Sequence, residues 1–158
     1  MNVLALDIAE KTGWCIRTDT ILKSGVKLLK ENPYDHPNIK LMNLDSLLNK
    51  ILSKIGKIDL VAYEEHDFIK GVRTTQALER LKGVMLLWCE KQRIPYMAIK
   101  VHEIKQEATG KGGGKGTDKE AVYQSALSRW PDQNVKDDNQ ADALFIMAVT
   151  GKKRGFNV

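Results

Sequence analysis

The stretch Val3-Leu4-Ala5-Leu6-Asp7-Ile8-Ala9 decides the fold, because four apolar residues run directly into an aspartate. A continuous apolar run of this length is typical of a strand that is buried on both faces of a sheet. An ionised carboxylate at the end of such a strand is costly unless it is paired or holds a metal ion. Asp7 is therefore a candidate metal ligand, and an ordinary aspartate in a turn is the alternative.

The composition indicates one globular domain over residues 1–158 that carries a net charge of +5. No apolar run approaches the roughly 20 residues of a membrane span, so we expect no membrane partner. Cys15 and Cys89 are far apart and show no CxxC or zinc spacing, which favours a reduced compartment. Since no signal-peptide pattern precedes the first strand, we expect a cytoplasmic protein, or one in the host cytoplasm if a phage encodes it. The basic charge is compatible with a polyanionic partner.

The remaining chain alternates between apolar runs and helical spacing, which predicts an α/β fold with a mixed five-stranded sheet. After the first strand, we expect strands over 12–18, 20–29, 58–63 and 95–99, with a hairpin turn at 18–20. Predicted helices cover 39–55, 70–92, 101–108, a segment from 117 to about 130, and about 137–150. Residues 151–154 are predicted to form a basic tail.

Two further segments supply acids that could meet Asp7. The strand over 58–63 delivers Glu64 and Glu65, and residues 137–142 read Asp-Asp-Asn-Gln-Ala-Asp. Asp138 and Asp142 are four residues apart, so a helix presents them on one face, where their charges repel unless a cation lies between them. Carboxylates of this kind favour Mg²⁺ or Mn²⁺. The alternative is that the acidic cluster only caps the last helix, which explains Asp142, inside the helix, poorly.

The segment 109–117 holds five glycines in nine positions and predicts a mobile loop. The segment contains Lys111 and Lys115, but its glycines and lysines do not follow the residue order of a P-loop. It also follows a predicted helix, whereas a P-loop follows a strand. We expect the loop to contact a DNA backbone, with a solvated linker as the alternative. Thr117 is the predicted N-cap of the next helix, with Glu120 as its capping-box partner.

Taken in order, these motifs resemble those of a RuvC-type Holliday-junction resolvase of the RNase H-like (retroviral integrase) superfamily. The resemblance covers nearly the whole chain, through Leu4-Ala5-Leu6-Asp7, Val61-Ala62-Tyr63-Glu64 and Ala141-Asp142-Ala143-Leu144. The segments around Lys105 and Lys119 are similar to those that carry the basic active-site residues of the family. The small size of the chain and its Asp-Asp-Asn-Gln-Ala-Asp-Ala-Leu segment are similar to phage-encoded members.

The resemblance implies an RNase H-like fold and a site that binds Mg²⁺, or Mn²⁺ in its place, with two ions per site. The implied ligands are Asp7, Glu64, Asp138 and Asp142. Lys119 and Lys105 would stabilise charge near the scissile phosphate. Two departures leave alternatives open: the family usually has its third acid at the position of Asn139, and Glu65 competes with Glu64.

The resemblance also implies a homodimer that cuts opposed strands of a four-way junction. The amphipathic helix over 70–92 is the candidate interface, and a monomer that buries this face internally is the alternative. Phe68 is the candidate for the aromatic wedge that the family has soon after its second acid, displaced by one position, and a core residue is the alternative. The expected activity is that of a metal-dependent, structure-selective DNA endonuclease acting on Holliday junctions and other branched DNA. A non-catalytic protein that binds branched DNA and an RNase H-like ribonuclease are the competing interpretations.

Overall fold

The computed structural model describes residues 1–66 and 71–158, and within them five strands and five α-helices follow the predicted order. The strands are β1 (Val3–Asp7), β2 (Lys11–Arg17), β3 (Leu22–Leu28), β4 (Leu60–Glu65) and β5 (Tyr96–Lys100). The helices are α1 (Ile39–Ile55), α2 (Val72–Gln92), α3 (Val101–Thr109), α4 (Lys119–Arg129) and α5 (Asp138–Arg154). No helix among the described residues is long and apolar enough to cross a membrane.

The strands form one mixed sheet in the order β3-β2-β1-β4-β5. The first three strands are antiparallel, whereas β1, β4 and β5 run parallel to one another. Because the carboxyl ends of parallel neighbours meet at the same edge, Asp7 of β1 and Glu64 of β4 lie side by side. This topology alone brings together two acids that are far apart in the sequence.

Alternation along β1 divides the core between the two faces of the sheet. Val3 and Ala5 pack in the cluster that contains α3, α4 and α5. Leu4 and Leu6 pack in the cluster that contains α1 and α2. A strand that is buried on both faces has no room for a polar position, which explains why β1 reads as a continuous apolar run. The predicted mixed sheet with helices on both faces is confirmed.

The start of α5 is held close to the sheet by a glycine. A Cβ atom at Gly13 of β2 would lie 1.9 Å from the carbonyl oxygen of Asn139. Only glycine permits this approach of the helix backbone to the strand. Since Gly13 is the β-sheet partner of Asp7, the contact also places the first turn of α5 beside Asp7.

Two local predictions are wrong. Asp118, not Thr117, is the N-cap of α4, and its side chain accepts a hydrogen bond from the backbone N–H of Ala121. Thr117 is instead buried, and its hydroxyl donates to the carbonyl of Gly114. An aspartate in extended backbone geometry caps as well as a threonine, so the sequence pattern fitted both positions.

The predicted basic tail at 151–154 is also wrong, because α5 continues through it to Arg154. Lys153 pairs with Glu103 and Lys152 pairs with Glu107, both on α3. Basic residues are favourable in the last turn of a helix, where they also approach the free carbonyl groups. These lysines therefore attach α5 to α3.

Candidate active site

Three carboxylates from three separate elements meet at one edge of the sheet. One oxygen each of Asp7, Glu64 and Asp142 lies within 4.8 Å of the other two. Asp7 ends β1, Glu64 lies near the end of β4, and Asp142 lies in the second turn of α5. The structure thus places three of the four predicted metal ligands in one group.

Asp7 is the most deeply buried member of this group, with 6% of its surface exposed. Burial raises the pKa of Asp7 well above its ordinary value, and the negative charges of Glu64 and Asp142 raise it further. The positive charge of Lys119 acts in the opposite direction but does not reverse the shift. Without a cation, the protein therefore favours a proton on this carboxylate.

Asp142 shows the same behaviour from the other side of the group. Burial, followed by the charge of Glu64, raises the pKa of Asp142 to about 7. Lys119 and Lys105 lower it in part. Since the residues from Ala143 to Gly151 of α5 are buried, the helix cannot rotate Asp142 out to solvent without exposing its core face.

Glu64 and Glu65 point to different surroundings because neighbouring strand residues face opposite sides of a sheet. Glu65 accepts hydrogen bonds from the hydroxyl of Tyr63 and from Lys82 of α2, the latter at 2.5 Å. Glu64 joins Asp7 and Asp142, and it lies 3.2 Å from Nδ1 of His66. Of the two glutamates between which the sequence left the choice open, the structure brings Glu64 to Asp7 and Asp142.

His66 is a site residue that the sequence analysis missed. The hydrogen bond to Glu64 raises the pKa of His66, so the imidazolium is more persistent than that of a free histidine. The sequence signal for His66 was its position directly after Glu64 and Glu65, but no residue spacing there is typical of a ligand set. His66 reduces the negative charge that Glu64 contributes to the group.

Asp138 does not belong to the group of three within the described residues, although it lies one turn before Asp142. Its carboxylate accepts a hydrogen bond from Lys119 at 2.6 Å, which lowers the pKa of Asp138 and raises that of Lys119. A role for Asp138 as a metal ligand stays a prediction. Asn139 contributes its backbone to the contact with β2 at Gly13.

The two predicted catalytic lysines border the carboxylate group. A cavity of about 380 Å³ is lined by Glu64, Asp142, Lys105 and Lys119, together with residues of α3 and α4. Lys119 is largely exposed, with 79% of its side-chain surface accessible, so it can reach a ligand in this cavity. Lys111 and Lys115 are exposed in the glycine-rich loop between α3 and α4, and Phe68 lies outside the described residues.

A buried polar network fixes the first turn of α5. Gln140 is 2% exposed; its side-chain oxygen accepts from the backbone N–H of Lys136, and its amide nitrogen donates to Ser24 and to the carbonyl of Gln133. The N-cap Asp137 accepts from the N–H of Gln140 and pairs with Lys11 of β2. These contacts hold Asp142 at the sheet edge.

The donor set fits a divalent cation of the Mg²⁺ type. Three carboxylate oxygens within 4.8 Å offer hard oxygen ligands and no thiolate. Burial first, and the negative charges of neighbouring acids second, raise the pKa values of Asp7 and Asp142, so the ionised group is poorly compensated by the protein alone. A bound cation would remove this repulsion, as binding and deprotonation are coupled at such sites.

No family model matches the chain, but two curated proteins are similar to it in sequence. It is 30% identical over 115 residues to crossover junction endodeoxyribonuclease RuvC of Petrotoga mobilis, an alignment that covers 73% of this chain and 69% of that protein. It is 28% identical over 109 residues to RuvC of Caldicellulosiruptor saccharolyticus, covering 69% of this chain and 64% of the relative. The alignments thus span about two thirds of each relative.

The backbone is similar to solved RuvC structures. RuvC of Thermus thermophilus gives a TM-score of 0.72 at 18% identity, over 98% of this chain and 97% of that one. The same protein in complex with Holliday junction substrate gives 0.76 at 19% identity, over 98% and 94%. These similarities establish the RNase H-like fold, and the sequence relationship to the Petrotoga protein establishes the family. The chain belongs to the RuvC family of crossover junction endodeoxyribonucleases.

Proposed function

We propose that this protein is a metal-dependent DNA endonuclease that cleaves Holliday junctions and other branched DNA by phosphodiester hydrolysis. The observation that carries the proposal is the group of Asp7, Glu64 and Asp142, in which Asp7 is buried and the other two are half-buried. Two lysines, Lys105 and Lys119, line the cavity beside Glu64 and Asp142. A protein that only binds junctions has no need for three repelling carboxylates at one point. Membership in a family of endonucleases supports the same conclusion.

Two Mg²⁺ ions, with Mn²⁺ as a substitute, are the cofactors that we assign to this site. Asp7, Glu64 and Asp142 would hold them, and Asp138 would complete the set of four acids. Such ions activate a water molecule and stabilise the charge that develops on the phosphate and the leaving oxygen. The protein contributes fixed positions for the carboxylates, because β1, β4 and α5 are all buried elements.

Lys119 and Lys105 supply positive charge next to the carboxylates. The charge of Lys119 lowers the pKa of both Asp7 and Asp142, so its field already reaches the centre of the group. We assign to Lys119, and to Lys105 beside it, the stabilisation of negative charge on the scissile phosphate. Asp138 keeps Lys119 oriented through their hydrogen bond.

Branched DNA is the proposed substrate, and a homodimer is the proposed working unit. Lys111 and Lys115 are exposed in the loop that leads from α3 to α4, close to the cavity that α3 and α4 help to line. Contacts from this loop to phosphates would position the substrate without reading its sequence. Two copies, joined through α2, would place two active sites on opposed strands of a four-way junction.

The test is a nicking assay on a synthetic four-way junction, with and without Mg²⁺. Linear duplex DNA and an RNA–DNA hybrid of the same sequence are the matched substrates. We expect Mg²⁺-dependent nicking of the junction, far faster than that of the duplex or the hybrid. Binding of the junction without nicking would favour a non-catalytic protein, and preferred cleavage of the hybrid would favour a ribonuclease.

A further inference from the structure

A second cavity lies between the edge strand β3 and the C-terminal half of α1, away from the residues of the candidate active site. It has a volume of about 230 Å³, and α1 and the strands β2 and β3 form its walls. Since β3 is the last strand of the sheet on this side, no further strand among residues 1–66 and 71–158 covers the cavity. None of its lining residues belongs to the carboxylate group or to the cavity of Lys105 and Lys119.

The floor of this cavity is apolar. Its lining includes Trp14 and Ile16 of β2 with Leu47, Ile51 and Ile55 of α1. Trp14 remains partly exposed, and a Cβ at Gly25 of β3 would lie 2.7 Å from its indole ring.

The rim of the cavity is positively charged. Lys23 and Lys27 line it from β3, and Lys50 and Lys54 line it from α1. Within the described part of the chain, only Lys27 has an ion-pair partner, Glu31, among these four. Lysines on an edge strand commonly protect against aggregation, which accounts for the two on β3. That explanation does not cover the two on α1.

We propose that this cavity docks an acidic peptide segment of a partner protein, which inserts an apolar side chain while its carboxylates pair with the lysines. The volume is below the roughly 300–1,000 Å³ of small-molecule sites, so it suits a side chain rather than a cofactor. A DNA backbone would match the lysines but has no apolar group to fill the floor. Charge and shape together therefore favour an acidic peptide over nucleic acid.

The experiment measures binding of a fluorescein-labelled peptide, in which a Leu-Phe pair is flanked by aspartates, to the full chain by anisotropy. Two control peptides replace Leu-Phe by Ser-Ser, or the aspartates by asparagines. Lys50→Glu with Lys54→Glu removes the charge of the α1 rim. Arg93→Glu with Arg154→Glu is the matched control, because both positions are exposed and outside the cavity, and neither forms an ion pair within the described residues.

We expect the unchanged protein to bind the first peptide about tenfold more tightly than either control peptide. The rim variant should bind the first peptide about tenfold more weakly than the unchanged protein does, and the control variant should bind it equally well. The indole N–H resonance of Trp14, assigned through Trp14→Phe, should shift on addition of the peptide. Junction nicking by the rim variant should stay at the level of the unchanged protein. The control peptides need no mutation, so their result does not depend on how the variants fold.

Four results would overturn the proposal. Equal binding of the Ser-Ser peptide would show that the lysines attract acidic peptides without using the apolar floor. If no peptide binds at millimolar concentration, the lysines have no docking role, and protection of the edge strand is their remaining explanation. Weaker junction binding by the rim variant, with unchanged peptide affinity, would assign the lysines to DNA. Dissociation of a dimer in the rim variant, measured by sedimentation, would assign the cavity to a second copy of this chain.

Discussion

Two clusters of half-buried or buried carboxylates lie on the same side of the sheet and behave in opposite ways. In the first, Asp7 and Asp142 have raised pKa values because burial and neighbouring acids disfavour their ionised forms. In the second, on α3, burial also opposes ionisation of Glu103 and Glu107. Hydrogen bonds from Lys153 to Glu103, and from Arg129 and Lys152 to Glu107, more than offset it and lower both pKa values.

The difference separates a functional cluster from a structural one. Glu107 is only 6% exposed, but Arg129 and Lys152 lie on it at 2.6 and 2.5 Å. Asp7 is buried more deeply, yet acids surround it, and Lys119, whose positive charge reaches it, is also bound by Asp138. Burial of an acid alone therefore does not indicate a site, whereas burial without sufficient counter-charge does.

The strongest test of this comparison is Asp7→Asn. We expect junction nicking in Mg²⁺ to fall by about 100-fold or more, because a lost anionic ligand costs several kcal/mol of transition-state stabilisation. Junction affinity, measured by gel shift in Ca²⁺ or EDTA, should change little because phosphate contacts dominate it. Nicking within a few-fold of the unchanged protein would refute the assignment of Asp7.

Glu107→Gln is the matched control in the structural cluster. It leaves Arg129 and Lys152 without their common partner, so the free energy of unfolding should fall, by about 1–3 kcal/mol. Nicking at a temperature where the variant stays folded should remain within a few-fold of the unchanged protein. A loss of nicking as large as that of Asp7→Asn would remove the distinction between the two clusters.

Asp138 lies at the boundary between the clusters, since it is an acid of the predicted metal site that already has a lysine partner. We expect Asp138→Asn to reduce nicking by about 10–100-fold, whether by loss of a ligand or by release of Lys119. Asn139→Ala should have little effect, because a neutral amide adds no charge to the site. Full activity of Asp138→Asn, or the reverse order of the two variants, would contradict the role proposed for Asp138.

The poorly compensated charges of Asp7 and Asp142 should also make the stability of the metal-free protein depend on pH. The pKa of Asp142 is raised in the folded state, so the folded protein binds more protons than the unfolded chain between about pH 4 and 7. The contribution of Asp142 to the free energy of unfolding is therefore fully present below about pH 4, and it is lost as the pH rises towards 7. Asp7 contributes in the same direction.

Asp142→Asn should weaken this dependence and raise the melting temperature at pH 8 in EDTA by several degrees, equivalent to about 1–3 kcal/mol. Thermal unfolding at pH 5 and pH 8 measures the effect. Adding Mg²⁺ at pH 8 should stabilise the unchanged protein but not the variant to the same extent. A variant that melts below the unchanged protein in EDTA at pH 8 would show that Asp142 stabilises the fold instead.

The sequence was sufficient for the fold because the strands are either fully buried or clearly patterned. The apolar runs that end in Asp7 and Glu64 mark adjacent parallel strands, and the register of β1 with β4 then brings the two acids together. The bounds of α1 agree with the prediction, since Gly56 adopts a positive φ of 80° just after its last residue. Local signals and the global fold agree at these positions.

The sequence was not sufficient where several side chains could satisfy the same need. Thr117 and Asp118 both suit an N-cap, and only the packing of Thr117 in the interior selects Asp118. Lys119 and Asp138 are 19 residues apart along the chain and lie on different helices, so no sequence spacing predicts their pairing. The network of Gln140 is hidden for the same reason, because its partners Ser24 and Gln133 lie on distant segments.

The smallest expected effect concerns the glycine-rich loop, whose charges differ from both carboxylate clusters in being fully exposed. Lys111 and Lys115 are the residues of this loop that we predict to contact phosphates, and both are exposed. Replacing both by alanine should weaken junction binding only several-fold at moderate salt. The slope of log K against log salt should fall by roughly one unit per lost contact. Nicking at saturating protein should persist, because neither lysine lines the cavity that contains Glu64 and Asp142. An unchanged slope would show that the loop only links α3 to α4, and it would transfer the search for DNA contacts to other basic surfaces.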